Sequence, residues 1–174
     1  MSEAPPTPAG PFVPEVSYGS QQRAEFITTI DAAPITLRNA VAGLTEAQLD
    51  TKYRNWTIRQ IVHHIADSHV NCYIRFKWAL TEETPTIKPY DETRWAALDD
   101  SLHGDIRFPL ALLESVHARW VLLMRSMSEN QFGRDFFHPE TQKVVRLDAA
   151  LSQYVWHGRH HTAQIVWVRA QRGW

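Results

Sequence analysis

Residues 55–80, NWTIRQIVHHIADSHVNCYIRFKWAL, decide the fold class of this chain. Thr57 and Gln60 stand at capping-box spacing, and Trp56 precedes them as a hydrophobic staple, so a helix is predicted to start here. Ile58, Ile61, Val62, Ile65, Cys72, Phe76 and Leu80 then fall on one apolar stripe. A helix of that length with one apolar side must bury it against other helices. Polar residues run beside the stripe: His64, Ser68, Asn71 and Arg75, at steps of four, three and four.

Working outward, the same periodicity recurs three more times. From Ser20 to about Ala42, Phe26, Ile27, Ile30, Ile35, Leu37 and Val41 keep helical spacing, with Pro34 expected to kink or split the helix. GLTEAQLD (43–50) reads as a turn and a short helical segment capped by Thr45. TEETPTIKPYDE (81–92) is a long polar connection broken by two prolines. FPLALLESVHARWVLLMRSM (108–127) is a third long helix with Pro109 suited to its first turn, and FGRDFFHPETQKVVRL (132–147) a loop with a short extended piece at Val144–Val145. The last helix runs from about Asp148 to Arg172, with acid near its start and arginines near its end, as the helix dipole favours. Four long amphipathic segments with little strand signal predict an all-α four-helix bundle over residues 20–174 as a single domain. Residues 1–19, holding five of the ten prolines, read as an extended Pro-rich arm across the body or a partner subunit.

Composition narrows the function classes. A net charge of −1 with interspersed signs gives no electrostatic footprint for nucleic acid. No apolar run approaches the ~18–20 residues of a membrane span, and the first residues lack a secretory pattern, so a cytoplasmic protein is expected. One cysteine rules out an intrachain disulfide and a multi-cysteine zinc site. There is no Gly-rich phosphate loop and no G-x-S-x-G elbow.

Histidines carry the remaining signal. In YVWHGRHHTAQIVW (154–167), the inward seam of the last helix is Ala150, Tyr154, His157, His161, Gln164 and Val168. His157 and His161 thus occupy core positions one turn apart, while His160 falls on a flank. Buried neutral imidazoles each need a donor and an acceptor. A shared metal ion answers that need; so does a pair of core histidines satisfied by Tyr154, Gln164 and water. On the second helix His64 lies on the polar line, His69 within the apolar stripe as a second candidate ligand, and His63 projects away with Asp67. His103 and His117 read as surface or satisfied residues, and His138, in a loop, as solvated rather than covering a cleft.

NWTIRQIVHHIADSH (55–69), RFKWALTEETPTIKPYDE (75–92) and YVWHGRHHTAQI (154–165) resemble the corresponding segments of the DinB-like superfamily, in its YfiT branch of metal-dependent hydrolases and bacillithiol S-transferases. The similarity runs from about Phe12 to Trp174. It implies an up-down-down-up four-helix bundle, commonly a homodimer, with one divalent metal per subunit held by His64, His157 and His161. Zinc or nickel is the first choice; cobalt, manganese and iron also accept imidazole. Three protein ligands leave coordination positions open, the arrangement of a catalytic ion.

Three activities follow. The first is a thiol S-transferase, in which a low-molecular-weight, bacillithiol-like thiol ionises at the metal and attacks an electrophilic substrate. Arg75 is then a candidate to hold a carboxylate of the thiol, or else an ordinary bundle ion pair, and Arg75 and Tyr154 are the candidate catalytic side chains. Cys72, on the apolar stripe, is a poor nucleophile of its own. The second is hydrolysis of an amide or ester by hydroxide generated at the metal, ranked lower because no Glu stands at H-E-x-x-H spacing and Asp67 projects away. The third is a non-catalytic, metal-stabilised bundle binding a small molecule among Trp56, Tyr154 and Trp156. Asp91 or Glu92 could rim the cleft.

Overall fold

The computed structural model describes residues 3–15 and 17–174. Four long helices form the body: α1 (Ser20–Val41), α3 (Ile58–Thr81), α6 (Arg107–Arg125) and α8 (Leu147–Arg172). Short elements join them: α2 (Glu46–Leu49), β1 (Lys52–Tyr53), β2 (Trp56–Thr57), α4 (Glu92–Ala96), α5 (Asp99–His103), α7 (Glu129–Phe132), β3 (Asp135–His138) and β4 (Lys143–Arg146). α1 packs on α6 and α8, and α3 packs on the same two, so α1 and α3 sit on a diagonal.

Cross-helix contacts fix the directions. Arg159 reaches Thr29, and Arg169 the carbonyls of Ala40 and Ala42, so α1 and α8 run parallel. The ion pairs Arg125–Asp31 and Arg38–Glu114 set α6 antiparallel to α1. His64 meets His157 and Ser68 meets Tyr154, so α3 opposes α8. The result is up-down-down-up. None of these helices is long and apolar enough to cross a membrane among the described residues.

The starts of these elements follow from local chemistry. Thr57 and Gln60 form the reciprocal capping box that opens α3, Thr45 and Gln48 do the same for α2, and Ser128 and Gln131 for α7. Pro109 occupies the third position of α6, inside the first turn, where a missing N–H costs nothing. Pro34 does not split α1. It lacks the N–H that would bond the Ile30 carbonyl one turn back, and His117 of α6 supplies a donor there instead, from Nδ1 at 2.6 Å.

Two apolar clusters fill the interior. One surrounds Trp120, Phe76, Leu147 and Leu151; the other surrounds Leu37, Ile58, Ile61, Leu113 and Ile165. His69, His117 and His157 occur along α3, α6 and α8 between the residues of the two clusters, so the histidines form a polar layer inside the bundle.

The connection at 81–106 is more structured than its prolines suggest, since α4 and α5 lie within it. Helices of five residues leave no periodic trace for sequence to show. The following loop is a hairpin in which Phe136 pairs with Val145 and Phe137 with Val144, the predicted extended piece being one strand of it. Ile87 donates to the Phe137 carbonyl and Phe137 to the Pro85 carbonyl, which ties the 81–92 connection to β3. Among its described residues the arm lies across its own body: Trp156 donates to the Gly10 carbonyl, Phe12 packs on Trp156, and Tyr53 and Arg54 reach the carbonyls of Pro5 and Ala4. Met1, Ser2 and Val16 of the predicted arm lie outside the described residues.

Arg59, fully enclosed at the start of α3, joins three segments. It bonds Asp50 at 3.0 Å, Glu46 at 2.7 Å and the Gly104 carbonyl at 2.9 Å. Its carboxylate partners are themselves exposed, so the packed stem and the carbonyl bond carry most of its value. Arg59→Met is expected to cost about 2 kcal/mol, read as a lowered urea midpoint with an unchanged slope.

Candidate metal centre

The polar layer reaches the surface on one side, between α3 and α8. There His64, His157 and His161 each bring one ring nitrogen within 4.8 Å of the others. His64 is buried; the other two are half-buried and open to a cleft. The Nε2 atoms of His64 and His157 stand 3.1 Å apart. Trp56 packs on His64 and lies stacked over His161, closing one wall.

Burial decides the charge of these rings. Desolvation lowers His64 to a pKa of about 4 and His161 to about 3, with the His64 ring adding to the latter, and it holds His157 well below the ordinary value. At neutral pH all three are neutral imidazoles, the form that binds a cation.

Hydrogen bonds decide which nitrogen is free. The Gln164 amide oxygen, an acceptor only, lies 2.8 Å from His161 Nδ1, so that nitrogen carries the proton and Nε2 the lone pair. The Gln164 amide nitrogen donates to His160 Nε2 at 2.9 Å. His157 Nδ1 faces His69 Nε2 at 3.3 Å, which leaves His157 Nε2 for the cluster. Two ring nitrogens as close as His157 Nε2 and His64 Nε2 demand a proton or a cation between them. Nitrogens around a tetrahedral zinc stand roughly 3.3 Å apart for Zn–N of about 2.0–2.1 Å, so the donor set fits a divalent ion with only small ring adjustments.

The cleft above the cluster holds about 450 Å³. Ser68, Arg75, Tyr90, His138 and Tyr154 line it, with Glu92 and Glu140 among the other residues of its wall. Arg75 is buried, and no acidic side chain pairs with it among the described residues. The Tyr154 hydroxyl accepts from Ser68 Oγ at 3.3 Å. Desolvation raises the Tyr154 phenol, with the neighbouring Cys72 adding to the shift, so it stays protonated and serves as a hydrogen-bonding group rather than a base. Cys72 is fully buried and its thiol is pushed up by desolvation, consistent with a core residue.

The other histidines separate clearly. His69 is not in the cluster: it lies behind His157, fully buried, bonded through Nδ1 to His117 Nε2 at 2.8 Å. His117 is satisfied, by His69 and by Ile30. His160 is buried rather than flanking, stacked on Trp156 at 4.6 Å between ring centres. His63 projects from the opposite side of α3 toward Gly104 but is likewise buried. Asp67 does not line the cleft; it sits near Asp100, and desolvation with that charge raises it to about 6. His103 is exposed, and His138 is half-buried on the wall of the cleft. Tyr90 is a cleft residue that no motif singled out; it follows a proline in a connection without periodicity.

A family model described as the DinB superfamily matches residues 29–165. A protein of Bacillus subtilis (strain 168), provisionally named the metal-dependent hydrolase YfiT, is 47% identical over 169 residues, covering 96% of this chain and 95% of its own. A Bacillus cereus (strain 03BB102) relative, also provisionally named a metal-dependent hydrolase, is 46% identical over 170 residues, or 96% of each chain. The solved structure of Bacillus subtilis YfiT, described as a probable metal-dependent hydrolase with an unusual four-helix bundle topology, superposes with a TM-score of 0.94 at 46% identity over 97% of both chains. A mycothiol-dependent maleylpyruvate isomerase shares the fold, with a TM-score of 0.61 at 20% identity over 79% of this chain and 60% of its own.

Proposed function

This chain belongs to the DinB superfamily, and on that premise we propose that it is a metal-dependent enzyme whose three-histidine centre sets a low-molecular-weight thiol against an electrophilic substrate. What supports the centre most directly is the convergence of neutral imidazole nitrogens from two helices at the floor of one cleft, that of His161 with its lone pair pre-aimed. A divalent ion there, zinc or nickel first, would supply Lewis acidity, lowering the pKa of whatever small protic ligand shares it.

The protein's own residues supply position and charge. Arg75, buried without an acidic partner among the described residues, suits a carboxylate on the thiol or the substrate. The Tyr154 hydroxyl and Ser68 offer neutral hydrogen bonds beside it. Trp56 packs against the cluster and forms one wall of it.

A second reading, hydrolysis, is favoured by Glu92 and Glu140 on the cleft wall, either of which could take a proton from water, and by the names of the relatives. One experiment separates the two. Zinc-loaded protein is given L-cysteine and 1-chloro-2,4-dinitrobenzene, or p-nitrophenyl acetate alone. In the first, a C–S bond forms, C–Cl breaks, chloride leaves and the thiol proton passes to solvent. Metal-dependent conjugation supports the transferase; metal-dependent ester cleavage without conjugation overturns it for the hydrolase. Arg75→Met is expected to raise KM for cysteine about 10- to 100-fold and to leave KM for 2-mercaptoethanol, which has no carboxylate, unchanged.

A further inference from the structure

Behind the cluster, on the side away from the cleft, two more imidazoles stand in file with His157. Pro34 has no N–H, so the Ile30 carbonyl in α1 is left free and faces His117 Nδ1 at 2.6 Å. His117 Nε2 lies 2.8 Å from His69 Nδ1, and His69 Nε2 lies 3.3 Å from His157 Nδ1. We propose that His69 and His117 are positioning residues, a two-imidazole relay that carries the demand of the Ile30 carbonyl across the bundle and fixes the His157 Nε2 lone pair on the cluster.

The direction of every bond follows from one end. A carbonyl oxygen can only accept, so His117 Nδ1 carries a proton and Nε2 a lone pair. His69 must then donate from Nδ1 and accept at Nε2, and His157 must donate from Nδ1. Reversing the file would set a lone pair of His117 against the oxygen of Ile30, both of them buried. An unmade buried hydrogen bond disfavours that arrangement roughly tenfold to a hundredfold. Burial keeps His69 and His117 neutral, so the argument holds with one proton per ring.

The file holds; it does not conduct. Its far end is an amide carbonyl, which cannot take a proton onward, so no net transfer out of His157 is available. The rings are also locked sideways. His69 stacks on His117 with ring centres 4.9 Å apart and meets Tyr154 edge-on at 5.1 Å. On α8 Gly158 stands beside it as well: a Cβ there would already be 3.6 Å from His69 Cε1, in van der Waals contact, so a side chain larger than a methyl would push the ring out of line. Outer partners of this kind, which set the tautomer and angle of a ligating histidine, typically change metal affinity 10- to 100-fold when lost.

The consequence for affinity rests on reading the cluster as a metal centre; the tautomer does not. Two measurements keep them apart. Long-range ¹H–¹⁵N correlation spectra of histidine-labelled, metal-free wild type are expected to show the proton of His157, His69 and His117 on Nδ1. A proton on His157 Nε2 in that spectrum overturns the relay. Co²⁺ titration, followed by visible absorption, is expected to give an affinity 10- to 100-fold weaker in His69→Phe and in His117→Phe, which keep an aromatic ring but no nitrogen. His69→Gln, whose amide restores an acceptor for His157, is expected to recover most of the loss. Folded Phe variants that bind Co²⁺ within threefold of wild type overturn the proposal. Wild type that binds no Co²⁺ overturns the metal reading instead, and the spectrum then decides the relay by itself.

Discussion

Purified wild-type protein is expected to carry about one equivalent of divalent transition metal, and His157→Ala less than about a tenth of that. His157 bridges the two helices of the cluster: its ring lies 5.1 Å from that of His64 and 4.5 Å from that of His161, and its Nε2 opposes His64 Nε2. Apparent zinc binding by four-ligand sites is worth about 10–16 kcal/mol, so one ligand contributes roughly 3 kcal/mol, or about 100-fold in Kd. A three-ligand site reduced to two falls below retention through purification. Elemental analysis reads the result, and circular dichroism shows that the bundle persists. His63→Ala is the matched control. It removes the neighbour of His64, on the side of α3 facing Gly104, and should leave metal content unchanged. Loss of metal from both variants, or from neither, would remove the site as drawn.

Much of this was legible in the chain because helices announce themselves locally. The capping box of α3 and the apolar stripe that follows it are contacts within one turn or along one face, and periodicity records both. The seam of α8 singled out His157 and His161 for the same reason: both sit at the spacing that faces a partner helix. Choosing between His64 and His69 was beyond periodicity. A helical wheel projects away the axial coordinate, and five residues are about 7.5 Å of rise. That distance puts His64 on the Nε2 side of His157 and His69 on its Nδ1 side. Only the resemblance to the DinB family selected His64, and the structure brings it to the other two.

What stayed hidden depends on contacts between distant positions. Pro34 reads as a helix breaker, yet its missing N–H is met by His117, separated from Ile30 by 87 positions. Neither residue signals the other in sequence. His117 therefore reads as an isolated histidine and turns out to anchor a file of rings. His160 likewise reads as a flank because its cover, Trp156 and Gln164 of its own helix, is held down by the arm at Gly10, a segment without periodicity.

The same buried imidazoles predict a steep loss of stability in mild acid for the metal-free protein. His64 and His117 are lowered to about 4, His161 to about 3, and His69 and His157 well below the ordinary value, in each case first by desolvation. In the unfolded chain each titrates near 6.5. Between those values the unfolded state binds more protons than the folded one, so stability falls as the pH drops from about 6.5 toward 4. It is fully present above 6.5. His117 alone, at a folded value of about 4, removes about 2 kcal/mol by pH 5. Against the ~5–15 kcal/mol that holds a domain together, a few such groups suffice to unfold it. Asp67, raised to about 6, works in the opposite sense, gaining stability as the pH falls through that value, but it is a single, partly solvated group against five imidazoles. The urea midpoint of metal-free protein should therefore drop sharply between pH 7 and pH 5. Saturating zinc should hold the midpoint up over the upper part of that range, since an ion bound only to the folded state competes with the protons. Equal midpoints at pH 7 and pH 5 without metal would show that these rings accept protons in place, and that the polar layer is open to water rather than dry.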